Sequence, residues 1–354
     1  MKIKYVILTL FIGLFLSSCG STKPRSSVNP ENLEKYDTVI YQYFDTVTTF
    51  MAYAHDEEEF NHYKEVLEKD LKTYHQFFNT YYDFDGVNNV KTINENAGKK
   101  PVKVDPAIIE LLEYGQTMYK ETDGQINIAL GSLLGLWHDY REEAIENPDK
   151  AKVPSEKELK EAESHSDINK IEIDKSNNTV YITDPNIQID IGAIGKGYAI
   201  AKIEKSLKEA GLKHGILSIG GDDVIIGKNP GKNDGLWKIA IQNPDLTAQN
   251  PYSSIIGITD TTVVTSGDYQ RFYKVDDEIY HHIIDPDTMK PADYFRSVSV
   301  VHEDIALADL LSTYLFVVDL ETGMEAAKKY GAEVLWIDKE DNYYKTPGWE
   351  AMED

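Results

Sequence analysis

The run Asp190-Ile191-Gly192-Ala193-Ile194-Gly195-Lys196-Gly197-Tyr198 packs three glycines, one acid and one lysine between strand-like and helix-like sequence. Upstream, Val180-Tyr181-Ile182-Thr183 and Ile187-Gln188-Ile189-Asp190-Ile191 alternate apolar with polar residues, the period of a half-buried strand. Downstream, Ile200, Ile203 and Leu207 recur at helical spacing between Tyr198 and Ala210, and Gly211 supplies a C-terminal stop. Glycines let a backbone approach a ligand closely, a helix start offers unpaired N–H groups and partial positive charge, and Lys196 adds a full charge. An anion is the natural guest. The glycine spacing fits neither the P-loop nor the dinucleotide fingerprint, so taken alone the segment suits an anion site or a tight turn packing helix on sheet.

The N-terminus bears on the compartment. Lys2 and Lys4 precede an apolar run from Tyr5 to Leu16, then Ser17, Ser18 and Cys19. A short apolar region ending in small residues and a cysteine resembles a bacterial lipoprotein signal, and it is shorter than the roughly 20 apolar residues of a membrane span. Residues 1–18 are therefore expected to be a signal peptide. Residues 19–38 are expected to be a lipid-bearing Cys19 followed by a flexible tether, and residues 39–354 the folded domain. The expected location is the cell membrane, lipid-anchored on its extracytoplasmic face or on the periplasmic side of an inner membrane. Cys19 is the only cysteine, which excludes an intrachain disulfide and a cysteine-rich metal site. The formal charge of −24 argues against nucleic acid as a partner. It does not argue against an anionic cofactor, because a metal and a local lysine can invert the potential inside one pocket.

Periodicity predicts a strand over Val39–Tyr53, helices over Glu57–Thr80 and Asp105–Thr122, a short apolar segment over Ile126–Trp137, and a solvated helix-and-loop face over Arg141–Lys170. Ten strand-like segments then run from Ile171 to Val301, the ninth of them spanning Ile279–Asp285. Helices over Ala306–Val318 and Gly323–Tyr330 and a strand over Val334–Ile337 follow. Helices towards both ends of a strand-rich centre indicate a single compact mixed domain of the α+β class.

Three further clusters carry chemistry. In Ala306-Leu307-Ala308-Asp309-Leu310-Leu311-Ser312-Thr313, Asp309 and Thr313 fall four apart on one face of an otherwise apolar helix. Such a hard oxygen pair suits Mg²⁺, which takes few protein ligands and completes its octahedron with water and phosphate oxygens. Alternatively, Asp309 caps a neighbouring loop and Thr313 bonds back to its own helix. In Val264-Thr265-Ser266-Gly267-Asp268-Tyr269-Gln270-Arg271, the side chains of Thr265, Ser266, Asp268 and Arg271 could serve phosphate, ribose or a ring edge, or the segment could simply turn a hairpin. In Tyr280-His281-His282-Ile283-Ile284-Asp285-Pro286, adjacent histidines on a strand point to opposite faces, so one can face a pocket as a proton-transfer group. His282 shares a face with Ile284, and the choice between the two histidines stays open.

Five of these stretches, in order, match one family. Asp190 to Ala199, Gly220-Gly221-Asp222, Thr265 to Arg271, His282 with Ile284-Asp285-Pro286, and Ala308 to Thr313 resemble the motifs of the ApbE-type FAD:protein FMN transferases over nearly the whole mature length. The resemblance implies an ApbE-type flavin transferase fold. It further implies FAD as FMN donor and Mg²⁺ held by the Ala193 carbonyl and the side chains of Asp309 and Thr313, with Lys196 and Asp190 along the cofactor. By looser matches, Phe44, Tyr81, Trp137, His138 and Asp139 would line the flavin or adenine pockets; Thr265, Ser266, Arg271, His282 and Ile284, within the closer motifs, would add contacts. The implied reaction moves FMN from FAD to a threonine hydroxyl of a partner protein, an acceptor flavoprotein domain or respiratory-complex subunit, and releases AMP. His282 and then Asp268 are the candidates for taking the hydroxyl proton. The same site with water as nucleophile would be an FAD pyrophosphatase, and without chemistry an FAD-binding lipoprotein.

Overall fold

The computed structural model describes residues 32–353. The expected signal peptide, Cys19 and most of the expected tether lie outside the described residues. Eight strands form one sheet whose spatial order follows the chain: Glu34–Ile40, Thr48–Ala54, Gly215–Ile219, Asp222–Ile226, Thr261–Gly267, Phe295–His302, Glu333–Asp338 and Tyr343–Lys345. Every neighbouring pair is antiparallel. The long excursions from this meander build the rest of the molecule, and the strand-rich, mixed α+β architecture is the one expected.

Both faces of the sheet are covered. Side-chain alternation sends Val264, Val298 and Val300 into a large core beneath the helices, while Val263 and Val301 enter a second core. The second core lies under the hairpin Trp237–Gln242/Tyr252–Ile258 and the short helix Pro347–Met352, whose Trp349 is fully buried. On the helical side, Gly195–Glu209 buries Ile200, Ile203 and Leu207, as their spacing requires. Helix Ile305–Val317 is apolar nearly all round and correspondingly buried. Asp304 starts it by accepting the Ala306 and Leu307 N–H groups at 2.9 and 3.3 Å. A smaller cluster, including Leu133, Trp137, Tyr273 and Ile284, packs helix Gly131–Glu146 on the hairpins between residues 272 and 291.

Several expected elements are corrected. The single strand over Val39–Tyr53 is two strands with a turn at residues 41–47, where Phe44 and Asp45 both have positive φ (58° and 51°). The first strand already begins at Glu34, so the last residues assigned to the tether belong to the sheet. The apolar segment ending at Trp137 opens a helix that runs to Glu146 and starts at Leu130 without a side-chain cap. The strand over Ile279–Asp285 breaks after His281.

The segment Ile187–Ile191 is not a strand of any sheet. Its alternation serves a different partner: the Asn94 side chain, which accepts the Ile189 N–H at 2.7 Å and donates to the Ile189 carbonyl at 2.9 Å. Asp190 N–H donates to the Ile128 carbonyl, and Gly131 N–H to the Gln188 carbonyl. One amide side chain thus imitates a neighbouring strand and aims the chain at the glycine-rich turn. Asn94→Ala leaves both Ile189 groups unpaired, and we expect a loss of about 2–4 kcal/mol in urea unfolding.

Candidate active site

The glycine-rich turn meets helix Ile305–Val317 at its first residues. Gly197 N–H, which in a continuing helix would return to the Ala193 carbonyl, instead donates to Asp309 Oδ2 at 2.7 Å. A Cβ on Gly197 would stand 2.4 Å from Asp309 Cβ and 2.7 Å from the Ile305 carbonyl oxygen. This glycine therefore lets two helices touch. The N–H groups expected for an external anion are partly spent within the chain, since Gly195 N–H also closes on the Ile191 carbonyl at 2.7 Å. Asp190 folds back on the same turn, its Oδ1 accepting the Gly192 N–H at 2.7 Å.

Lys196 points to a partner that sequence reasoning did not assign. Its Nζ lies 2.8 Å from Asp222 Oδ2, a close ion pair. Asp222 is 1% exposed and begins its strand just after Gly220-Gly221. Asp222 pairs with Ile219 on one side, while the strand on its other side joins only from Asp223 onward (Asp223 opposite Val263). Burial pushes the Asp309 carboxyl up to about 7, and the nearby Asp222 charge adds to the shift. Burial likewise raises Asp222 against the pull of Lys196. Burial opposes the Lys196 charge, but Asp222 and Asp309 outweigh it and leave the lysine firmly cationic. The ionised form of Asp309 is poorly compensated by its buried surroundings, and a cation beside it would favour that form.

Hydroxyls and aromatic rings complete the surroundings. Ser312 Oγ donates to the Asp309 carbonyl at 2.8 Å and shares a 2.7 Å hydrogen bond with Ser266 Oγ. Thr313 is half-buried one turn after Asp309. The Tyr81 ring stands 5.6 Å from the His138 ring at the exposed mouth, and the charges of Asp190 and Arg271 both act on Tyr81. The Arg271 charge also acts on Lys196 and on His282. His282 Nδ1 is buried without a hydrogen-bond partner, and burial, then Arg271, pushes the imidazole down to about 3. The turn at Phe44 closes the near side: Phe44 N–H donates to His75 Nδ1 at 3.1 Å, and Gly220 N–H to the Val47 carbonyl at 3.0 Å.

A model of the ApbE family matches residues 44–336. The chain belongs to the ApbE family. A Treponema pallidum protein named FAD:protein FMN transferase is 32% identical over 258 residues, 69% of each chain. Another of that name, from Haemophilus influenzae, is 25% identical over 351 residues, 98% of this chain and 96% of that protein. The solved ApbE protein of Thermotoga maritima has the same fold, with a TM-score of 0.79 at 28% identity over 91% of this chain and 100% of that one.

Among the residues assigned by resemblance to the family, the fold gathers Ala193, Lys196, Asp309 and Thr313 at the contact of two helices, with Ser266 on Ser312. Asp190, Tyr81, His138, Arg271 and His282 share the adjoining mouth. Others lie elsewhere. Trp137, 5% exposed, donates its indole N–H to the Met289 carbonyl and stacks on Tyr280, and Ile284 is buried in the same small core. Both belong to the small core that packs helix Gly131–Glu146 on the hairpins. The Asp139 side chain is 86% exposed. Thr265 bonds Ser299 Oγ at 2.8 Å across the strand pair, on the sheet face opposite Ser266. Asp268 lies 3.9 Å from Arg296 and is pushed up to about 6 by burial, whereas the charges acting on His282 are those of Arg271, His281 and Arg141.

The two histidines separate cleanly. His281 Nε2 donates to the Ala292 carbonyl at 2.9 Å while Nδ1 accepts the Ile283 N–H at 3.2 Å, an arrangement only the neutral ring can make. Burial pushes its pKa down to about 4 from an ordinary 6.5. A depressed histidine stabilises the fold fully above 6.5, and that contribution, about 3 kcal/mol, is lost as the pH falls through 4. Urea unfolding between pH 7 and 4 is expected to show a shallower decline for His281→Gln than for the parent chain.

Proposed function

We propose that this chain is an FAD:protein FMN transferase that uses Mg²⁺ to move FMN from FAD onto a threonine hydroxyl of an acceptor protein, with AMP as the leaving group. The observation that carries the reading is the buried, undercompensated Asp309 carboxylate, pinned by Gly197 N–H beside Lys196 and one turn before Thr313. The residues fit a hard divalent cation. Gly197 N–H is diverted from the Ala193 carbonyl, Thr313 offers a hydroxyl, and water and phosphate oxygens suit the remaining positions. Among the described residues no three His, Cys, Asp or Glu side chains cluster as a ready metal cage, which agrees with a metal shared with its substrate. Bound there, Mg²⁺ would offset charge on the diphosphate oxygens and favour in-line displacement.

The chain's own residues supply the rest. Lys196 and Arg271 place positive charge beside the diphosphate, and Tyr81 and His138 offer ring faces at the mouth for a flavin or adenine. The acceptor threonine oxygen bonds to the FMN phosphorus, the bond from that phosphorus to the bridging oxygen breaks, and AMP carries the bridging oxygen away. His282 Nδ1, neutral and unpartnered, takes the threonine proton. The incoming diphosphate anion raises its basicity from the depressed value of the empty site. His282→Ala is expected to retain FAD binding, read by flavin fluorescence, while acceptor labelling falls about 10²–10⁴-fold. Unchanged labelling would remove His282 from the reaction.

The reading includes anchorage through an acylated Cys19 at the extracytoplasmic face of the cell membrane. It is supported by the charged, apolar and small-residue pattern of residues 1–19. Among the described residues, no helix is long and apolar enough to cross a membrane.

A further inference from the structure

We propose that Asp222 is a positioning residue that holds Lys196 away from Asp309, keeping the Asp309 carboxylate open for the metal. The inference rests on the reading of Asp309 as a metal ligand and assigns a task to a side chain outside that ligand set. Three observations carry it. Asp222 is 1% exposed and its Oδ2 sits 2.8 Å from Lys196 Nζ, so a buried carboxylate has the ammonium as its counter-ion. Asp309 also acts on the Lys196 charge and its Oδ2 is already engaged by Gly197 N–H, whereas Asp223, which feels the lysine as well, lies on the opposite face of its strand from Asp222. Asp222 stands at the start of its strand, opposite Ile219, and shares a strand face with Val224 and Ile226, which enter the core beneath the helices.

The competition follows from the chemistry of lysine. An ammonium on a flexible four-carbon stem can reorient, and burying it without a partner is costly. With Asp222 neutralised, Asp309 is the carboxylate left for Lys196 on the helical side, Asp223 lying on the other face of the strand. The same charge that should help hold a diphosphate would then occupy the metal's carboxylate. Asp222 thus sets which of two carboxylates the lysine neutralises.

The test is metal binding on the metal-free full-length protein, using Mn²⁺ as the probe and its free-ion EPR signal as the readout, with and without FAD. Asp222→Asn is expected to weaken Mn²⁺ binding about 10-fold or more, the scale on which outer residues tune metal affinity. Adding Lys196→Met to Asp222→Asn is expected to restore binding to within a few-fold of the parent, since the competing ammonium is gone. Removing Lys196 would also relieve instability caused by its unpaired charge, so circular dichroism accompanies each titration: weakened binding by a folded Asp222→Asn supports competition, and weakened binding only where the folded spectrum is lost overturns it. Equal binding by the parent and Asp222→Asn, or no recovery in the double variant, overturns the inference and leaves the proposed function standing. Absence of Mn²⁺ binding by the parent, with and without FAD, overturns both.

Discussion

Asp309→Asn is expected to abolish magnesium-dependent AMP release, by on the order of 10³-fold, without unfolding the protein. The substitution keeps an oxygen able to accept the Gly197 N–H that Asp309 Oδ2 now takes at 2.7 Å. What it removes is the charge. That charge is poorly matched within the chain: burial pushes the carboxyl up to about 7, and the second buried acid, Asp222, pushes in the same direction. A carboxylate held this way destabilises the metal-free fold and is relieved by a cation. Metal-free Asp309→Asn should therefore melt no lower than the metal-free parent, while the stabilisation of the parent by Mg²⁺ with FAD disappears. A lower melting temperature together with retained AMP release would assign Asp309 a structural task instead.

Gly197→Ala is expected to be the most damaging single-methyl change in the chain's catalytic layer, costing roughly 3 kcal/mol in urea unfolding and most of the activity. Alanine ordinarily gains up to about 1 kcal/mol over glycine within a helix. Here the clash outweighs that gain, because the new Cβ would sit 2.4 Å from Asp309 Cβ and 2.7 Å from a carbonyl oxygen of the neighbouring helix. Separating the helices also draws Asp309 away from the Gly197 N–H. Gly195→Ala is the control. Its Cβ would meet the Ile191 Cδ1 end at 2.9 Å, an atom that can rotate away, so stability and activity should stay close to the parent. Equal losses at the two positions would mean that general loosening of the turn, and not the helix contact, sets the requirement.

Nothing in the local sequence tells these two glycines apart, and the same limit applies to the elements around them. Strands Gly215–Ile219 and Trp237–Gln242 fall at their expected limits because their inward residues alternate without interruption. The turn at residues 41–47 is hidden because Phe44 and Asp45 adopt positive φ without a glycine, proline or asparagine to announce it. Ile187–Ile191 has strand spacing, but its hydrogen bonds go to an amide side chain remote in sequence, which periodicity cannot reveal. The helix Gly131–Glu146 lacks a start signal because Leu130 provides no cap.

The site shows the same division. Asp309 and Thr313 stand out as polar residues in an apolar helix, whereas the choice between His281 and His282 requires the hydrogen bonds of each ring. Trp137 and Ile284 lie beside mouth residues in sequence but turn the other way, into the small core. Asp222 is visible in the sequence only as part of Gly220-Gly221-Asp222. Its pairing with Lys196 depends on where a strand end meets a helix start, a tertiary fact with no local signature.

The most direct test of the central claim is AMP release from FAD by the soluble protein beginning after Cys19, with Mg²⁺ or EDTA and with or without a threonine-bearing acceptor domain. The account predicts magnesium-dependent AMP matched by covalent flavin fluorescence on the acceptor, with both signals lost in EDTA. AMP without acceptor labelling would contradict transfer and indicate hydrolysis of FAD, and FAD binding with no AMP under any of these conditions would contradict catalysis altogether.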